Sequence, residues 1–166
     1  MPTNRRILTA LFVVYLLFLT WAILFKLTFT PQLLDHRRAF NLIPFYDNGS
    51  TAYRLVLEEM RDNVILFLPY GLYLRLLGWR NGKTALLLFL GTSLCFELLQ
   101  FLFALGVGDV TDLITNTLGG ALGYSITRAL LRRSDREETV TRILTILSAA
   151  ATALVLSAVL FLLLAQ

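Results

Sequence analysis

Five long runs of apolar residues alternate with short polar segments along this chain of 166 residues. A helix that crosses a membrane needs about 20 mostly apolar residues, and all runs but the second reach that length. The second run is shorter and has Pro69 and Gly71 in its middle. The pattern predicts an all-α integral membrane bundle of about five transmembrane helices, over residues 7–29, 63–77, 84–104, 111–131 and 143–164.

The composition supports a membrane protein. Hydrophobic residues make up 57% of the chain and charged residues 16%, which is more apolar surface than a soluble core of this size can bury. No linker or repeat divides the sequence, so we expect a single domain over residues 1–166. The net charge of +4 does not indicate nucleic-acid binding, because the basic residues stand beside the apolar runs and form no face interleaved with aromatic side chains.

The basic residues in short loops predict the orientation. Arg5 and Arg6 precede the first run, and Arg80 and Lys83 join the second to the third. Further arginines surround the join of the fourth and fifth runs, at Arg128, Arg132, Arg133, Arg136 and Arg142. Because positively charged loops stay in the cytoplasm, we expect a multi-pass protein of the bacterial cell (inner) membrane with a cytoplasmic amino terminus and an extracytoplasmic carboxy terminus. Arginines in the outer loop, residues 30–62, oppose this orientation, but the charges of long loops influence orientation less than those of short loops.

Polar residues inside or beside the apolar runs mark the candidate site. An ionisable group in the hydrocarbon region costs several kcal/mol or more, so it indicates function by default. The predicted orientation brings these side chains together in the outer half of the membrane, where we expect a polar cavity open to the outside. The predicted ligand-binding residues are Asn41, Asn63, Glu97, Gln100, Asp109, Asp112 and Asn116.

Several interpretations of these residues remain open. Glu97 either fastens the third helix to its neighbours or contributes to a binding site, and Asp109 and Asp112 could serve the start of the fourth helix. Glu97 and Asp112 are also candidate catalytic residues of a membrane hydrolase or transferase acting on a lipid-linked substrate. The carboxylate oxygens of Glu97, Asp109 and Asp112 suit a divalent cation, but the sequence has no strong metal-binding spacing, so we expect no cofactor.

Two further sequence features indicate how parts of the chain pack together rather than which residues bind a ligand. Gly119, Gly120 and Gly123 give one face of the fourth helix only small residues, which favours close approach of another helix. Pro44 forces an extended Ile43 within the apolar segment of residues 41–45. We therefore expect a short, partly re-entrant extracytoplasmic segment that covers the bundle.

Four sequence segments carry a resemblance to a known family. They are residues 41–45 (NLIPF), residues 63–71 (NVILFLPYG), Glu97 with Gln100, and residues 109–112 (DVTD) followed by Asn116, Gly119, Gly120 and Gly123. In order and spacing they resemble the VanZ-like family of bacterial membrane proteins, whose founding member is linked to teicoplanin resistance. The resemblance covers residues 41–123 and leaves residues 143–164 as an additional helix.

The resemblance implies a role at the cell envelope, where the protein would alter the access of glycopeptide antibiotics to peptidoglycan precursors. The partner we expect is a membrane lipid or a lipid-linked cell-wall precursor. Similar proteins usually carry an arginine shortly before Asp109, whereas this chain reads Leu-Gly-Val-Gly over residues 105–108. If that arginine contacts a phosphate or carboxylate in the relatives, this chain binds a different ligand, or Arg37, Arg38 or Arg61 takes its place.

Overall fold

The computed structural model describes residues 5–25, 38–45, 52–133 and 137–164. The described residues form five helices, which confirms the predicted all-α class, and one short parallel pairing of two strands is added. The elements are α1 (Arg5–Leu24), β1 (Phe40–Asn41), α2 (Ala52–Leu76), α3 (Gly82–Phe103), β2 (Gly108–Asp109), α4 (Val110–Arg133) and α5 (Glu137–Leu164).

Most helix bounds lie close to their expected positions. Helix α5 begins six residues early, at Glu137 instead of residue 143, and the largest difference is in α2. It begins at Ala52 instead of residue 63, and it runs through Pro69 without interruption. The first eleven residues of α2 therefore belong to a helix where an extracytoplasmic loop was expected. The last part of the first predicted helix, residues 26–29, and Arg37 lie outside the described residues.

Helices α2 and α4 form the most extensive helix contact in the described residues. Three glycines allow their main chains to meet: Gly71 faces Gly120 and Tyr124, Gly119 faces Val64, and Gly123 faces Leu68. A Cβ atom on Gly119 would lie 2.9 Å from the Cα atom of Val64, closer than real Cβ contacts come. Gly120 instead faces the ring of Phe89, so α3 packs against the same glycine-rich segment.

Aromatic side chains fill the core between α1, α2 and α3. The ring centroid of Phe12 lies within 6.4 Å of those of Tyr15, Tyr70 and Tyr73. Phe67 contacts Tyr70 and continues the cluster toward Phe96. Two described helices, α1 with 20 residues and α3 with 22, are long and apolar enough to cross a membrane.

The ends of α3 are fixed by local hydrogen bonds. The Asn81 side chain accepts hydrogen bonds from the main-chain N–H groups of Lys83 and Thr84, which satisfies two donors at the helix start. At the other end Ala104 adopts the left-handed conformation with φ of 52°. The chain turns there and enters β2, which leads directly into α4.

Candidate functional site

Polar side chains in the half of the bundle where α3 turns into α4 form three groups. We call the first the turn cluster, the second the polar cavity and the third the Ser93–Asn116 pair. The turn cluster comprises Asn41, Glu97, Asp109 and Thr111. The polar cavity is lined by five polar and three apolar residues: Glu59, Asp62, Asn63, Gln100 and Asp112, with Ala22, Ile23 and Leu66.

Asp109 is the centre of the turn cluster. Its Oδ1 atom accepts from the main-chain N–H of Thr111 at 2.6 Å, as expected of a residue that caps α4. Its Oδ2 atom accepts from Nδ2 of Asn41 at 2.9 Å, and its own main-chain N–H donates to Oε2 of Glu97 at 2.8 Å. The cluster therefore ties the segment of residues 38–45 to the facing ends of α3 and α4.

The paired strands hold the same segment in register. Phe40 lies opposite Gly108, and the Phe40 ring stacks on Phe101 with 4.8 Å between ring centroids. A Cβ atom at position 108 would overlap the Phe40 ring, which explains the glycine. Leu42 and Ile43 remain 72% and 60% exposed, so the segment contacts the bundle through its main chain, Phe40 and Asn41.

The polar cavity has a volume of about 230 Å³ and lies between α1, α2, α3 and α4. Nδ2 of Asn63 donates to Oδ1 of Asp112 at 2.8 Å, which joins α2 to α4. Nε2 of Gln100 donates to the main-chain carbonyl of Ile23 at 3.1 Å, which joins α3 to α1. The amide groups thus hold the walls of the cavity together.

Carboxylates dominate the charge of the cavity lining. Glu59, Asp62 and Asp112 contribute to it, and no lysine or arginine is among the lining residues that the structure describes. The nearest basic group in sequence is Arg61, whose guanidinium lies 2.7 Å from Oδ1 of Asp62. This hydrogen bond raises the pKa of Arg61 above its usual value, so the guanidinium stays charged beside the rim.

The Ser93–Asn116 pair lies apart from the cavity. Nδ2 of Asn116 donates to Oγ of Ser93 at 3.0 Å, and both residues are fully buried between α3 and α4. The predicted binding residues therefore separate into three places. Asn63, Gln100 and Asp112 line the cavity; Asn41, Glu97 and Asp109 form the turn cluster; and Asn116 binds Ser93.

The two candidate catalytic carboxylates, Glu97 and Asp112, have hydrogen-bond partners of different kinds. Oε2 of Glu97 accepts from a main-chain N–H of the turn, whereas Oδ1 of Asp112 accepts from a side-chain amide in the cavity wall. Among the described residues, no three of the His, Cys, Asp and Glu side chains are placed to hold a metal ion together.

Sequence reasoning did not include Glu59 in the site, although a signal was available. Glu59, Asn63 and Leu66 are spaced by four and three residues, and all three line the cavity. Extending the second helix back by one turn places Glu59 on the face of Asn63. The role of the Ile23 main-chain carbonyl cannot be predicted from the sequence, because every residue has a main-chain carbonyl.

Comparison with known proteins agrees with the motifs. A model of the VanZ/LLP1 family matches residues 12–132, from α1 to the last turn of α4. Protein VanZ of Enterococcus faecium is 43% identical over 121 residues, which cover 70% of this chain and 70% of that protein. No solved structure matches the chain. The family match spans well over half of the sequence, and this chain therefore belongs to the VanZ/LLP1 family.

Proposed function

We propose that this protein crosses the bacterial cell membrane several times and binds the headgroup of a lipid or lipid-linked cell-wall precursor in the outward-facing polar cavity. Through this binding it contributes to teicoplanin resistance. The observation that carries the proposal is the cavity itself, around which Asn63, Gln100 and Asp112 from three helices are placed within a largely apolar bundle. Family membership supports a role of this kind at the cell envelope.

The distribution of side chains on α3 supports a lipid-facing bundle. Leu87 and Leu102 are 67% and 61% exposed, whereas Glu97 and Gln100 on the same helix are 3% and 2% exposed. A helix of a soluble protein shows the reverse pattern, with charged residues outside and leucines inside. Lipid around the outer face would cover the leucines, and the buried polar groups would line an interior site.

The ends of the helices support the orientation. The Arg5 guanidinium donates to the carbonyl of Leu77, so the start of α1 lies beside the end of α2. Lys83 begins α3 and Arg133 ends α4 at that same end of the bundle. The polar cavity lies at the other end of all four helices. With the basic end in the cytoplasm, the cavity opens outward and α5 ends on the outer side.

Cysteine labelling tests the orientation. In a Cys95→Ser background, Arg54→Cys and Arg80→Cys place one exposed thiol at each end of the bundle. We expect a membrane-impermeant maleimide to label Arg54→Cys in intact protoplasts and to label Arg80→Cys only after lysis, because the reagent reaches the outer surface alone. Labelling of Arg80→Cys in intact protoplasts, with Arg54→Cys protected, would contradict the orientation.

Teicoplanin susceptibility tests the function. Asp112→Asn keeps an oxygen that can accept from Asn63 but removes the negative charge from the cavity. Expression of the parent protein in a susceptible Gram-positive host should raise the minimum inhibitory concentration several-fold, and the variant should return it to the value of the empty vector.

The matched control is Glu58→Gln, which removes a carboxylate of α2 that pairs with Arg54 and does not line the cavity. This variant should protect as well as the parent. Immunoblotting of the membrane fraction checks that the proteins are equally abundant. Full protection by Asp112→Asn at equal abundance would refute the assignment of the cavity.

A further inference from the structure

A second cavity lies between α2 and α5, with one wall from α1, and we call it the apolar cavity. It has a volume of about 400 Å³, within the range of roughly 300–1,000 Å³ that is typical of ligand pockets. Its lining on α2 runs over residues 65–73, which corresponds to about 12 Å of helix. The wall from α5 comes from residues 144–152, beyond residues 12–132 that match the family. The apolar cavity therefore depends on a helix outside the family match.

The side chains of this lining offer a ligand no free hydrogen-bond donor in the part of the chain that the structure describes. The Tyr15 hydroxyl donates to the carbonyl of Leu66 at 2.6 Å. Ser148 and Thr152 each donate to the main-chain carbonyl four residues earlier on α5. The hydroxyl oxygens of Tyr73 and Thr152 are 3.3 Å apart, and Tyr73 is the donor because the Thr152 hydrogen is already used.

The other lining side chains are apolar, so the cavity does not suit a headgroup. An anionic headgroup would find no donor there, and a cationic one would find no carboxylate. Water is no better suited, because a buried water molecule needs about two to four polar partners. The chemistry of the lining favours a ligand that makes no hydrogen bonds.

The apolar cavity has a buried floor and an exposed rim. Tyr15 and Tyr73 are buried at the floor, whereas Ile65 of α2 and Leu147 of α5 are exposed at the rim. Ile65 lies near the middle of α2, so the opening is on the side of the bundle and not at either end. In a membrane, this side of the bundle faces the hydrocarbon chains of the lipids.

We propose that the apolar cavity holds one acyl chain of a membrane lipid, which enters sideways between α2 and α5. This site requires the membrane placement of the proposed function but no ligand in the polar cavity. An empty gap would leave the lining side chains without neighbouring atoms and without the dispersion attraction that such neighbours provide. A flexible hydrocarbon chain supplies those contacts and packs α5 against α2.

Photochemical labelling by a lipid tests the site. The full chain is reconstituted in phosphatidylcholine vesicles that contain a small fraction of phosphatidylcholine with a diazirine midway along one acyl chain. After irradiation, mass spectrometry of the digested protein maps the adducts. Tyr73 should be labelled several-fold more than Tyr124, because both tyrosines are buried and Tyr124 does not line the cavity. Leu87, which is exposed on α3, should also be labelled and reports contact with the bilayer.

Filling the cavity should abolish the label at its floor. Ser148→Phe places a ring in the cavity, and it should lower the labelling of Tyr73 to that of Tyr124. The matched control is Ala150→Phe, which adds the same ring at an exposed position of α5 outside the lining and should leave the labelling of Tyr73 unchanged. Thermal midpoints check that both variants fold.

The outcomes separate this site from the membrane placement. Labelling of Leu87 without labelling of Tyr73 would overturn the acyl-chain site and leave the membrane placement intact. Equal labelling of Tyr73 in the parent and in folded Ser148→Phe would also overturn the site. Absence of label at Leu87 would contradict the membrane placement on which the site depends. The comparison of Tyr73 with Tyr124 in the parent needs no variant, so it decides the matter even if Ser148→Phe does not fold.

Discussion

Gly123→Ala is expected to destabilise the bundle strongly. A Cβ atom at this position would lie 2.8 Å from the carbonyl carbon of Leu68 and closer still to its oxygen. The obstructing atoms belong to the main chain of α2, so no side-chain rotation can relieve the contact and the two helices must separate. Overpacking usually costs about 1–3 kcal/mol, and a rigid obstacle places this variant near 3 kcal/mol.

Gly91→Ala is the matched control for that variant. Gly91 lies on the exposed side of α3, and a Cβ atom there would meet nothing within 4 Å. Alanine favours a helix over glycine by about 1 kcal/mol, so this protein should be at least as stable as the parent. Thermal midpoints and size-exclusion profiles in maltoside micelles provide the comparison. Equal stability of the two variants would show that α2 and α4 do not meet at Gly123.

Hydropathy predicted the helices that are apolar throughout and misplaced the start of α2. The segment from Ala52 to Asp62 is rich in charge, so a search for apolar runs excluded it. Helix formation does not require apolar residues, and the Arg54–Glu58 pair at i and i+4 supports a solvated turn of helix. Hydropathy measures compatibility with lipid, so it does not detect the polar start of α2, which carries part of the candidate site.

The site could be predicted only as far as helix faces define it. Asn63, Gln100 and Asp112 were expected to share a site, and the structure places them around one cavity. Asn116 is one turn beyond Asp112 on α4, but its partner is Ser93 of α3, whereas Asp112 meets Asn63 of α2. Periodicity assigns both α4 residues to one side of the helix. It does not distinguish which of two neighbouring helices each side chain contacts.

Glu97 provides the other large expected effect, and it separates a structural acceptor from a catalytic base. Its Oε2 atom accepts a hydrogen bond from the main-chain N–H of Asp109. The side-chain carboxylate of Asp109 in turn accepts from Asn41 and caps the start of α4. Glu97→Leu removes this acceptor and leaves the part-buried N–H of Asp109 without it. A fully buried N–H without a partner costs about 1–3 kcal/mol, so the expected loss of stability lies toward the lower end of that range. We expect the variant to lower the thermal midpoint and to release the paired strands, measured as faster amide exchange at Asn41 and Asp109.

Glu97→Gln keeps an oxygen that can accept from the Asp109 N–H but cannot take up a proton in the way a carboxylate does. If Glu97 holds the turn, this variant should fold like the parent and protect a susceptible host from teicoplanin equally well. If Glu97 is a general base, the variant should fold normally and lose all protection, because general-base catalysis requires the basic carboxylate. Since the turn cluster lies outside the lining of the cavity, we expect the first result, with Asp112→Asn showing the loss instead.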